Sequence, residues 1–222
     1  MAATSLQELF VEELRDAYDG EKRLTKALPK MAKAAESEEL RSALTNHLRE
    51  TERQIQRLEQ VFRTIGESVR GKKCDGLMGI IEEGKTAMEE LEEGSVLDAA
   101  IIAGAQRAEH YEIAAYGTLA YFAELLGNEK AKNLLGQTLD EEKAADEKLS
   151  TIAKSKVNRA ALMGAGMEEG DTEEEGDGDM MSRSSRRGGG GRTAGMRGSS
   201  SRGNGGTRAM ANERSRGSRR TR

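Results

Sequence analysis

The chain has 222 residues, of which 36% are hydrophobic, 33% charged and 3% aromatic, with one proline and one cysteine, so an intrachain disulfide framework is excluded. Its formal net charge of −4 averages opposed parts: residues 1–153 hold 30 acids against 20 bases, residues 168–179 add eight acids and no base, and residues 183–222 carry twelve arginines and one glutamate. No apolar run approaches the ~18 residues of a membrane span, and the N-terminus lacks the basic and apolar regions of a secretory signal, so the expectation is a soluble, cytoplasmic protein.

The first helix is expected from about Ser5, a suitable N-cap, to about Ala35, with Leu6, Phe10, Leu14, Ala17, Leu24 and Leu28 on one face. Pro29 falls inside this span and should kink or interrupt it near Leu28. A second helix opens at Ser37, where SEEL forms a capping signal, and ends near Gly66. Residues 66–94 make a long connection with a helical pattern of its own, DGLMGIIEEGKTAMEELEEG. The third helix is predicted from about Ser95 to Leu126, closed by Gly127, and the fourth from about Glu129 to Lys156.

Short links make antiparallel neighbours of the first and second helices and of the third and fourth. The long connection lets the second and third run parallel. Two hairpins joined by one long crossover is the ferritin-like topology, so the fold class expected is an all-α four-helix bundle. All seven aromatic residues precede residue 123, which confines the core to a domain of residues 1–160. Residues 161–182 read as an acidic linker. Residues 183–222, rich in Gly, Ser and Arg, read as a disordered tail that buries too little apolar surface to offset ordering entropy.

Carboxylates recur on the stripes that should face the core. Advancing 100° per residue, Glu112 falls at the centre of the face made by Ile101, Ala105, Ala108, Tyr116 and Leu119. Glu109 lies on the edge of that face and His110 on the opposite side. Glu21 is centred among Phe10, Leu14, Ala17, Leu24 and Leu28, and Glu142 among Leu135, Thr138, Leu149 and Ala153, with Asp146 one turn on. On the second helix His47 and Gln54 flank the apolar face, while Glu50 lies farther round and would have to reach in. One buried carboxylate is ordinary, but three on separate helices each carry a desolvation penalty of several kcal/mol unless neutralised. No lysine or arginine is centred on those stripes, and a bound cation is the economical partner. Oxygen-rich ligation with one imidazole suits iron, manganese or a harder divalent ion better than structural zinc. The spacings agree, since Glu21 to Glu50 is 29 residues and Glu112 to Glu142 is 30, as in a duplicated hairpin.

The segments YDGEKRLTKALPKMAKAA, HLRETERQIQRLEQVF, KKCDGLMGIIEEG, EHYEIAAYGTL and LDEEKAADEKL resemble, in order, the YciE/YciF family of ferritin-like proteins across about residues 5–155. That resemblance implies a dimeric ferritin-like bundle with a dimetal site, in proteins associated with bacterial stress responses. Ferritin-like dimetal sites take a glutamate from two helices and Glu-x-x-His from the other two. Glu21 and Glu112 match the first role, and Glu50 and Glu142 the glutamates of the second. Three residues on, however, stand Arg53 and Ala145, so His47, Gln54 and Asp146 would have to substitute. This departure argues against carrying ferroxidase or oxygen-activating chemistry over unchanged.

The expected ligand set is therefore Glu21, His47, Glu50, Glu109, Glu112, Glu142 and Asp146, around a divalent metal pair, iron before manganese. The function expected is iron or peroxide handling under stress, with a di-iron oxidase or peroxide-consuming activity left open. A second reading is a non-catalytic helical homodimer whose arginine-rich residues 183–222 bind nucleic acid, another polyanion or partner proteins. Cys74, beside two lysines, reads either as a reactive thiol or as a small packing residue, the latter preferred.

Overall fold

A computed structural model describes residues 3–164 of the chain. The acidic run and the arginine-rich tail predicted beyond them lie outside the described residues. Helix α1 spans Leu6–Ala34, α2 Glu38–Thr64, α3 Asp75–Glu90, α4 Ser95–Leu125, α5 Glu129–Ile152 and α6 Asn158–Gly164, with a π turn at Ala153–Val157 between the last two. Among the described residues there is no strand, and no helix is long and apolar enough to cross a membrane.

The boundaries follow local chemistry. Ser5, Ser37 and Asn128 accept backbone N–H bonds from Glu8, Leu40 and Ala131 and so cap α1, α2 and α5. Helices α2 and α4 end in left-handed glycines, Gly66 at φ 71° and Gly127 at φ 72°, followed by N–H bonds from Glu67 to Phe62 O and from Asn128 to Ala123 O. That pairing is the Schellman closure, which satisfies carbonyls the helix leaves free.

Two expectations need correction. Of the kink or interruption expected at Pro29, interruption does not occur, since α1 runs unbroken to Ala34. The ring is exposed, the carbonyl it deprives of a donor belongs to half-exposed Thr25, and the buried side chains Leu24, Leu28 and Ala32 hold the helix on both sides. The fourth predicted helix does not end at Lys156 either. It passes through the π turn, whose Ala153 and Val157 are buried, and continues to Gly164.

Helix α1 packs on α2 and α4 on α5, and the two hairpins meet through α1–α4 and α2–α5. The crossover helix α3 lies against α4 and α1. The core has two apolar clusters. One joins the start of α1 (Phe10, Leu14) to the ends of α2 (Leu58, Phe62) and α4 (Leu119, Ala123) and the start of α5. The other joins the end of α1 (Leu24, Leu28) to the starts of α2 (Leu40, Leu44) and α4 (Ile101, Ala105) and the end of α5. Helices α2 and α4 therefore run parallel, which completes the ferritin-like topology. Between the clusters lies a buried polar layer of Glu21, His47, Thr51, Gln54, Glu109, Glu112, Thr138 and Glu142.

Candidate metal centre

Every helix of the bundle contributes to this layer because each carries a polar residue in the middle of its apolar stripe. One ligand atom each from His47, Glu109, Glu112 and Glu142 lies within 4.8 Å of the others, and all four residues are buried. Imidazole Nε2 of His47 stands 3.2 Å from Glu109 Oε1 and 3.7 Å from Glu142 Oε2. Its Nδ1 faces outward, 3.5 Å from Oε2 of half-exposed Glu50.

Glu21 adjoins this group from α1, 1% exposed, and accepts a hydrogen bond from the Tyr116 hydroxyl. Gln54 donates its amide to Glu142 and, at 3.1 Å, to Glu141 Oε2. Arg57 then holds Glu141 through both nitrogens at 2.9 and 2.8 Å and donates to Thr138 Oγ1 at 2.7 Å. This outer chain fixes one oxygen of Glu142 and leaves the other free. Buried Oε2 atoms of Glu21, Glu109 and Glu142, and Oε1 of Gln54, have no hydrogen-bond partner.

The electrostatics follow from the crowding. Burial, reinforced by neighbouring carboxylates, pushes Glu21, Glu109 and Glu112 well above the usual carboxylate range. Burial also raises Glu142, against the opposing pull of Glu109, His47 and Gln54. Tyr116 is raised by burial and then by Glu21 and Glu112. Exposed enough to stay solvated, Glu50 is instead held below the usual range by His47 beside it.

Of the seven residues predicted as ligands, the structure gathers His47, Glu109, Glu112 and Glu142 into one group and sets Glu21 beside it. Glu50 stands behind the imidazole. Asp146 turns away: it accepts from Gln106 Nε2 at 2.9 Å and lies 3.4 Å from Nε2 of exposed His110. Sequence reasoning missed Tyr116, Thr138 and Arg57 as partners of the layer. The available signal was a polar atom on an apolar stripe, which for Tyr116 and Thr138 was read as packing.

Cys74 is fully buried at the N-terminus of α3, with Sγ 3.4 Å from the Tyr111 hydroxyl. Burial pushes its thiol up, and its two lysine neighbours pair elsewhere, Lys72 with Glu12 and Lys73 with Asp75. It is a packing residue and not an activated nucleophile.

Two cavities approach the layer. One of about 630 Å³ lies among α1, α3 and α4, and one of about 250 Å³ between α2 and α5. His47 and Glu109 line both, so this pair forms the wall between them.

Known proteins share this fold. The profile of the family described as "Domain of unknown function (DUF892)" matches residues 5–162. Protein YciF of Escherichia coli (strain K12) is 46% identical over 162 residues, covering 72% of this chain and 98% of that protein. The crystal structure of the E. coli stress protein YciF superposes with a TM-score of 0.68 at 46% identity, over 71% of this chain and 99% of that one. YcfI from Rhodopseudomonas palustris gives 0.65 at 47% identity, over 68% and 96%. A Xanthomonas campestris protein of 20% identity, at TM-score 0.58, shares the fold alone. With a match over most of its length and a relative of this identity, the chain belongs to the DUF892 family, which is the YciE/YciF family.

Proposed function

We propose that the chain is a ferritin-like stress-response protein that holds a pair of divalent metal ions, iron ahead of manganese, in its polar layer and handles iron or peroxide there. The observation that carries this reading is the set of orphaned buried oxygens on Glu21, Glu109 and Glu142, aimed into a layer that also holds Glu112 and the His47 imidazole. Among the described residues no lysine or arginine forms an ion pair with these four glutamates. Four carboxylates balance the charge of two divalent cations, and an oxygen-rich set with one imidazole suits iron or manganese.

The chain's own groups have separable tasks. Glu109, Glu112, Glu142 and His47 Nε2 would hold the metals, with Glu21 at the margin. Glu50 stands 3.5 Å behind Nδ1, which is buried and has no hydrogen-bond partner, so a small approach of this carboxylate would give the imidazole the outer partner that turns the Nε2 lone pair inward. Gln54, through Glu141 and Arg57, locks the orientation of Glu142, and Tyr116 does the same for Glu21. When bound, the metal pair supplies Lewis acidity and one-electron redox capacity toward iron or peroxide. The stress assignment is supported by what E. coli YciF is described as.

Elemental analysis of the full chain after aerobic iron or manganese loading tests the reading. Close to two metal ions per chain are expected, with Glu112→Ala losing most of the metal while keeping its helical spectrum. A wild-type chain that stays metal-free after loading with either ion would sink the proposal.

A further inference from the structure

We propose that the larger cavity, among α1, α3 and α4, is a binding site for a single-chain aliphatic carboxylate, its head on the lysine rim of α1 and its chain directed toward the polar layer. The cavity's volume of about 630 Å³ falls within the size of small-molecule sites. Buried Leu28 and Ile101 form its wall together with half-buried Met31, Met78, Ile81 and Met88. Three of those six are methionines, whose unbranched side chains adapt to a flexible alkyl chain.

The rim supplies the charge. Lys22, Lys26 and Lys30 follow one another at one-turn intervals along α1, all exposed and all lining the cavity. Among the described residues none of the three has a carboxylate within 4.0 Å. The other rim cations are already paired, Arg23 with Asp19 at 2.6 Å and Lys85 with Glu82 at 3.0 Å. Lys22 sits over the Tyr18 ring, 5.3 Å from its centroid, which leaves Lys26 and Lys30, among the described residues, as the free cations of the row. On a domain that is acidic overall, this lysine row beside an apolar hollow is complementary to an anionic head joined to an apolar chain. The opposite end of the cavity fixes the orientation. There the wall is His47 of α2 and Glu109 of α4, and neither helix contributes a lysine or arginine to the cavity that could receive the head.

This inference does not rest on the metal reading, and it is tested both on the full chain as purified and after chelation. Calorimetric titration uses dodecanoate below its micelle concentration, with acetate and dodecyltrimethylammonium as controls for head and chain. Saturable binding of one dodecanoate per chain is expected, with none of acetate and about tenfold or more weaker binding of the cationic amphiphile. Ala105→Leu, which fills the cavity from α4, should weaken dodecanoate about tenfold. The exposed double change Lys26→Glu with Lys30→Glu should weaken dodecanoate and strengthen the cation, with the melting temperature reporting that both variants fold. The proposal is overturned if wild-type protein takes up no dodecanoate, if the two amphiphiles bind equally, or if neither variant alters the affinity.

Discussion

Asp98 belongs to α4 but serves the turn between α1 and α2. Its two oxygens accept the backbone N–H groups of Glu36 and Ser37 at 2.9 and 2.8 Å, and it is 3% exposed. These donors precede the first turn of α2, where a negative charge is favoured by the free N–H groups behind it. Asp98→Ala removes two charge-assisted bonds at once. A loss of about 2 kcal/mol is expected, read as a lower urea midpoint with an unchanged slope; an unmoved midpoint would show that water replaces both bonds. Asp98 was not singled out in the sequence, because its partners are 61 and 62 residues away and no local pattern marks them. Glu21, Glu112 and Glu142 were legible as buried, because helical period alone fixes which face each one occupies. The same rule places Asp146 only to within a turn. Its Gln106 contact, 40 residues distant, decides where the carboxylate goes. The Tyr116–Glu21 bond, which spans 95 residues, was illegible for the same reason.

At the level of elements, capping residues and turn glycines are local chemistry, and they set the ends of α1, α2 and α4 close to where the sequence placed them. The π turn depends on packing against α4 and has no local signature. How α3 docks is also a tertiary matter, and two glycines carry it. A Cβ at Gly20 of α1 would stand 2.6 Å from Leu77 Cδ1, and one at Gly76 of α3 would stand 2.5 Å from Tyr111 Cε2. Leu77 can swing aside, but the Tyr111 ring is tied by its hydroxyl to Asp16 at 2.9 Å and to Cys74 Sγ. Gly76→Ala gains up to about 1 kcal/mol of helix propensity, yet overpacking of about 1–3 kcal/mol should prevail. The expected result is a lower melting temperature that Gly76→Ala combined with Tyr111→Ala partly restores. A variant as stable as wild type would mean that α3 shifts freely on α4.

For the whole molecule, the polar layer sets a dependence on pH. Because Glu21, Glu109 and Glu112 are raised on folding, the folded chain binds their protons more tightly than the unfolded chain does. The layer's stabilising protonation is complete below the ordinary carboxylate range and is lost as pH rises through the raised folded values. Metal-free protein should therefore melt at a lower temperature at about pH 8 than at about pH 5.5, with Glu112→Gln flattening the trend. Bound metal should reverse the order, since the ligands must then release their protons. A metal-free melting temperature that climbs over this interval, as much in wild type as in Glu112→Gln, would refute the assignment.

The two hairpins touch along surfaces that are mostly leucine, alanine and phenylalanine above and below that layer. Such surfaces alone would tolerate sliding by one helical turn, about 5.4 Å, since apolar neighbours exchange for apolar neighbours. The layer forbids it. One turn of slip parts Glu21 from Tyr116 and Glu142 from Gln54, and drives carboxylates against hydrocarbon. The acids that destabilise the bundle therefore also index it, as a key aligns two blank plates. Replacing the whole layer with leucine should give a more heat-resistant protein whose halves no longer know where to stop.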